Sequence, residues 1–237
     1  MLTFGSWICL LAGIVTAIAI AIDVSKRPQP MKVMNVTWPI TGLYMPVIGW
    51  FAYRRMGRAP LVSAQASHSH GGAQHEGHGG HEGHQPHGGD KPKWQSVFVS
   101  ATHCGGGCTL GDIIASPLAT LTGFALLGSS VVGHFALAFV CAYLFGVLFQ
   151  YLPIRAMSDA GRGEALKNAI KADTLSLIAF QTGMYLWMLI ALQLWLAEIT
   201  AFSVSFWFMM QIAMLVGFVT SYRANWLLID RGIKHGM

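Results

Sequence analysis

Residues 131–152 read VVGHFALAFVCAYLFGVLFQYL, a run without a single Asp, Glu, Lys or Arg. Wound as a helix rising about 1.5 Å per residue, it covers a hydrocarbon core of about 30 Å. Comparable apolar runs occupy 3–22, 34–53, 109–129, 173–195 and 201–222. The reading is therefore all-α, a polytopic transmembrane helix bundle of about six helices. Composition agrees: of 237 residues 54% are hydrophobic and 11% charged, where a soluble domain is roughly 25% charged. No soluble catalytic domain has room. The formal net charge of +5 reads as a bias of membrane-flanking loops, and no nucleic-acid site follows from it.

The chain divides into 1–53, carrying the first two helices, a polar loop over 54–93, and 94–237, an interfacial segment with a cysteine motif followed by four more helices. In the first helix Gly13, Ala17 and Ala21 stand four apart and let a neighbour approach closely. In the second, Pro39 and Pro46 predict a kink. Met1–Ile22 lacks the basic start and small-residue cleavage site of a secretory signal, so it is read as a retained span with the mature chain beginning at Met1. Excess Lys and Arg mark the cytoplasmic face. With both termini cytoplasmic, the inner segments hold Arg54, Arg55, Arg58, Lys91, Lys93, Arg155, Arg162, Lys167, Lys171, Arg223, Arg231 and Lys234, whereas Lys26, Arg27 and Lys32 fall on the wrong side.

The loop contains HSHGGAQHEGHGGHEGHQPHGG, in which His68, His70, His75, His78, His81, His84 and His87 alternate with Gly and Glu. Such a stretch buries too little apolar area to offset its ordering entropy, which predicts disorder. Imidazoles on a flexible backbone converge readily on a transition-metal ion, so the loop reads as a metal buffer; the plain alternative is a solvated linker. Beyond it, Trp94–Thr102 is too short to span and runs into Gly105-Gly106-Gly107, which predicts a break in the helix.

The second constellation is THCGGGCTLGD, Thr102–Asp112. Two thiols across three glycines can turn toward each other, with His103 and Asp112 flanking them. His103, Cys104, Cys108 and Asp112 are the candidate metal ligands, favouring Cu(I) in a linear or trigonal thiolate site and Zn²⁺ in a closed tetrahedral one. Thr109 reads as the N-cap of the third helix and Asp112 as its capping partner, which would place both thiols where a helix N-terminus favours thiolate. Cys9 and Cys141 sit alone in apolar runs as packing residues. A dithiol redox centre is the competing reading, weakened by the reducing face on which the pair is expected.

Polar and sulfur-bearing residues continue into the bundle. Asp173 is placed at the opening of the fifth helix, followed on one broad face by Gln181, Met184 and Met188; Met45 lies beside the Thr37, Thr41 and Tyr44 face of the second helix. His134 stands near the outer end of the fourth. These are candidate pathway residues, with packing as the alternative for each.

TWPITGLY (Thr37–Tyr44), THCGGGCTLGD and KADTLSLIAFQTGMY (Lys171–Tyr185) together resemble the bacterial membrane family catalogued as domain of unknown function 4396. That resemblance implies a multi-pass protein of the bacterial inner membrane with a link to metal handling. The expected function is an inner-membrane transition-metal transporter or metal-handling protein, copper before zinc or nickel. Its partners are the lipid bilayer, the metal ion and a metallochaperone or respiratory complex, with oligomerisation open. The alternatives are a non-transporting assembly factor for respiratory copper enzymes, and a membrane dithiol oxidoreductase or haem-bearing electron carrier using His103 and His134.

Overall fold

A computed structural model describes residues 2–60, 92–157, 161–196 and 200–232. The histidine tract, including His68, His70, His75, His78, His81, His84 and His87, lies outside the described residues. The chain is all-α. Its helices are α1 (Leu2–Lys26), α2 (Met34–Tyr44), α3 (Pro46–Ala52) running into a π turn (Tyr53–Gly57), α4 (Lys93–Thr122), α5 (Ser130–Met157), α6 (Arg162–Leu194) and α7 (Val204–Asp230). Four of them, α1, α5, α6 and α7, are long and apolar enough to cross a membrane.

The packing is that of a protein whose outer solvent is hydrocarbon. Large apolar side chains such as Phe4, Leu11, Val15, Val140, Leu144 and Leu186 lie exposed, while Ser100, Thr102, His103, Asp112, Asp173 and Asn225 are buried. Polar groups turned inward and apolar groups outward are what a bilayer rewards.

The expected second span, 34–53, is a hairpin instead. Pro46 lacks the N–H that would continue the helix, so α2 ends at Tyr44 and Met45 leaves helical geometry with φ −122° and ψ 73°. The chain then doubles back. A Cβ on Gly49 would lie 3.2 Å from Gly42 Cα, and one on Gly57 would strike the Trp38 indole; Trp38 and Tyr53 meet edge to face at 5.7 Å. Each arm holds about eleven residues, some 16 Å of helix, or half a bilayer core. The hairpin thus returns to the end from which it entered. Its root is fastened there: Arg58 donates to both Asp23 oxygens at 3.0 and 3.1 Å, the Tyr53 hydroxyl donates to Asp23 at 2.9 Å, and the Arg27 guanidinium donates to the Ala59 carbonyl at 3.2 Å. Asp23 in turn holds the Arg58 guanidinium above its ordinary pKa.

The hairpin tip reaches the middle of α1. A Cβ on Gly13 would meet the Leu43 carbonyl oxygen at 2.2 Å, and Gly42 packs on Ala17, so the small-residue stripe on α1 admits a close neighbour as its spacing predicted. From the hairpin root the chain returns at Lys93, which pairs with Asp230 and lies over the Trp226 ring. Therefore α4 and α6 run away from this end, and α5 and α7 run toward it. Thirteen of the fifteen Lys and Arg residues fall within the described residues, and all thirteen cluster at this one end. The opposite end holds the start of α1 and the turns joining α4 to α5 and α6 to α7.

Candidate functional site

Cys104 and Cys108 lie inside a helix, not at the start of one. The expected break at the glycines and the expected N-cap at Thr109 both give way to a continuous α4 of 30 residues. Pro92 precedes its first turn, and Gly123 closes it in the left-handed conformation at φ 62°. The thiols are therefore beyond the reach of a helix N-terminus, whose influence fades within the first turn. That removes the expected local aid to thiolate formation.

What the glycines do is admit neighbours. Successive helical residues point about 100° apart, so three glycines in a row clear most of the helix circumference. A Cβ on Gly105 would meet the Tyr44 hydroxyl at 2.8 Å and Phe180 at 3.2 Å; on Gly106, Thr37 Cγ2 at 2.5 Å; on Gly107, Gly146 Cα at 2.9 Å. Helices α2, α6 and α5 thereby close on α4 from three sides. Gly107 and Gly111 form a small-xxx-small stripe facing Ala142 and Gly146 on α5. Next to it, a Cβ on Gly146 would come 2.6 Å from Asp173 Oδ2, so Asp173 reaches the same level of the bundle from α6. It sits well inside that helix, which begins at Arg162, and not at its opening.

Cys104, Cys108 and Asp112 follow at four-residue spacing and form one stripe along α4, each no more than 1% exposed. The Cys108 thiol lies beside Cys104 and within electrostatic reach of Asp112 and Asp173. Both thiols are free, as are Cys9 and Cys141. They share a buried cluster with Tyr44, Met45, Leu177, Phe180, Met184 and Met188. His103 points elsewhere: it shares the glycine side of α4 and meets Phe149 of α5 edge to face at 6.4 Å. Among the described residues no three His, Cys, Asp or Glu side chains are gathered as a metal-binding group.

The remaining candidates divide by position. Gln181 faces Asp112, though without a well-formed hydrogen bond, since both Asp112 oxygens and both Gln181 amide atoms lack one. His134 is buried near the start of α5, with its Nε2 3.1 Å from Ser116 Oγ. Phe149, beside His103, lies fifteen residues further along α5, about 22 Å of helix, so His103 and His134 do not face one haem.

Several buried polar residues were not singled out from the sequence. Ser176 donates to Asn225 at 2.9 Å between α6 and α7, and the Gln211 amide donates to the Leu43 carbonyl at 2.8 Å, tying α7 to the hairpin tip. The available signal was a polar residue inside an apolar run, which α7 shows at Gln211, Ser221 and Asn225. Of the residues that the sequence did single out, Thr102, Thr109 and Tyr44 keep buried hydroxyls without hydrogen-bond partners.

The chain belongs to the family described as a domain of unknown function, DUF4396, whose model matches residues 93–234. That region holds α4 to α7 and the whole thiol stripe, and leaves out α1 and the hairpin. No curated protein and no solved structure matches the chain.

Proposed function

We propose that this protein is a bacterial inner-membrane permease for a soft transition-metal ion, Cu(I) before zinc or nickel. The observation that carries the reading is the Cys104–Cys108 pair. Two thiols share one buried face of α4, at the level where the glycines bring α2, α5 and α6 into contact. Thiolates and thioethers suit Cu(I), and Met184 and Met188 line the same cluster. A half-membrane hairpin whose tip sets Tyr44 against Gly105 of the thiol helix is a structure that membrane proteins keep where backbone lines a pathway.

The proposed orientation places the basic end in the cytoplasm. Lys26, Arg27 and Lys32, misplaced under a six-span scheme, then join the other cationic residues. The chain crosses five times, with its N-terminus outside and its C-terminus inside. Both flanks of the histidine tract, Arg58 and Lys93, belong to the basic end, so the tract would collect metal on the cytoplasmic side, which favours export.

The test has two parts. Purified protein competing with a chromogenic Cu(I) chelator should bind one ion, and Cys104→Ser and Cys108→Ser should each lose tight binding nearly as fully as the double change. Proteoliposomes should then show Cu(I) flux that both variants lack. Binding without flux is the result a metal-delivery or assembly protein would give, and wild-type affinity in both variants would end the metal reading.

A further inference from the structure

One turn beyond Cys108 the donor chemistry changes from sulfur to oxygen. Both Asp112 carboxylate oxygens, Gln181 Oε1 and Thr109 Oγ1 are buried without hydrogen-bond partners. The three residues are 1% exposed or less. Thr109 precedes Asp112 by three residues, which makes them neighbours on the helix surface, and Gln181 faces Asp112 from α6. Pro117 lies within the same helix and has no N–H to give the Ile113 carbonyl, which adds a backbone oxygen one residue from Asp112.

Cys108 on its own helix, Cys141 on α5 and Tyr185 on α6 lie within electrostatic reach of Asp112, and none of these three is a cation. None of the salt bridges among the described residues involves it. A carboxyl group so placed in a membrane interior carries its charge only with a cation beside it, and otherwise keeps a proton.

We infer that Asp112, Gln181 and Thr109 form a binding site for one small, hard, monovalent cation, separate from the thiol pair. Oxygen donors suit an alkali cation as thiols suit copper. Asp112 is the one carboxylate in this donor set, Asp173 standing instead against Gly146, and a monovalent ion matches its charge. The site stands whether or not the cargo is copper. If it is, the two ions sit one helical turn apart and each raises the cost of binding the other, so occupancy would alternate and an alkali-ion gradient could drive the metal.

Sodium is the probe. Equilibrium binding of radioactive sodium to the purified full-length protein, at ionic strength held constant with choline chloride, should saturate at about one ion per chain. Asp112→Asn should weaken it about tenfold or more. Gln181→Leu, which leaves the carboxylate in place, should weaken it as well and guards against misfolding of the first variant. Cys104→Ser/Cys108→Ser should leave sodium binding unchanged. Absence of saturable binding in the wild type, or wild-type affinity in folded Asp112→Asn, overturns the inference. Because the readout is sodium and not copper, its failure is distinct from failure of the permease reading.

Discussion

Alanine at Gly111 tests the central packing claim most directly. The added Cβ would lie 2.4 Å from both Cα and N of Ala142 and 2.8 Å from the Cys141 carbonyl carbon. Relaxed carbon contacts begin at about 3.5 Å, so α5 must retreat by roughly 1 Å, and because the obstructing atoms are backbone no rotamer change avoids it. Overpacking of this kind costs about 1–3 kcal/mol. Alanine recovers up to about 1 kcal/mol through its better helix propensity; with backbone as the obstacle the cost falls in the upper half of that range, about 2–3 kcal/mol, so the net loss is roughly 1–3 kcal/mol. In detergent micelles that corresponds to a Tm lower by about 2–12 °C. Gly5→Ala is the control, since a Cβ at that position would have nothing within 4 Å; it should match wild type or gain up to about 1 kcal/mol from the same helix propensity. Ala142→Gly should not rescue the variant, because the clash is with the main chain of residue 142 and not with its methyl group. A stable Gly111→Ala protein, or rescue by Ala142→Gly, would refute the close crossing of α4 and α5.

Orientation is checked by single cysteines in intact cells, in a background without the native thiols: Thr3→Cys should react with a membrane-impermeant maleimide and Arg231→Cys should not, and the reverse pattern turns the molecule over. Arg58→Gln removes both guanidinium bonds to Asp23, so hydrogen exchange should accelerate over 46–57 while α5 to α7 keep their protection; uniform loosening would mean that the cluster supports the whole bundle. If the histidine tract collects metal as proposed, deleting His68 to His87 should weaken copper resistance at low supply and spare it at high supply. Loss of resistance at every supply would make the tract part of the transport route.

Much of this fold was legible because hydrocarbon tolerates few compositions. The runs at 131–152 and 201–222 contain no Asp, Glu, Lys or Arg, and both became helices that start within three residues of the expected position but run on past the expected ends, to Met157 and Asp230. The hairpin was hidden in a run of the right length. Residues 34–53 are apolar enough for a span, and only the pairing of Gly42 with Gly49 and of Trp38 with Gly57 distinguishes one crossing from two half-crossings. Yet a trace was present in the charges. Lys26, Arg27 and Lys32 contradicted a topology that every other Lys and Arg supported, and under the proposed orientation an element that returns to its own side removes the contradiction by turning α1 over while α4 to α7 keep their directions. For the site, four-residue spacing sets Cys104 and Cys108 on one face of α4, whereas His103, adjacent to Cys104 in sequence, points about 100° away from it.

The glycine triplet shows why the motif itself was misread. In water, Gly-Gly-Gly exposes backbone groups to a competing solvent and forfeits conformational entropy, so a break is the sound inference. In a bilayer an unbonded N–H or carbonyl has nothing to bond to, which favours the helix whatever the side chains. Freed from the role of breaker, Gly105, Gly106 and Gly107 become the means by which three helices approach a fourth. That close approach also buries the thiols and the Asp112 carboxylate, because a larger residue at 105 or 106 would hold Tyr44 and Thr37 away. The residues that prepare the site chemically and those that assemble it sterically are therefore interleaved in one eleven-residue segment of α4.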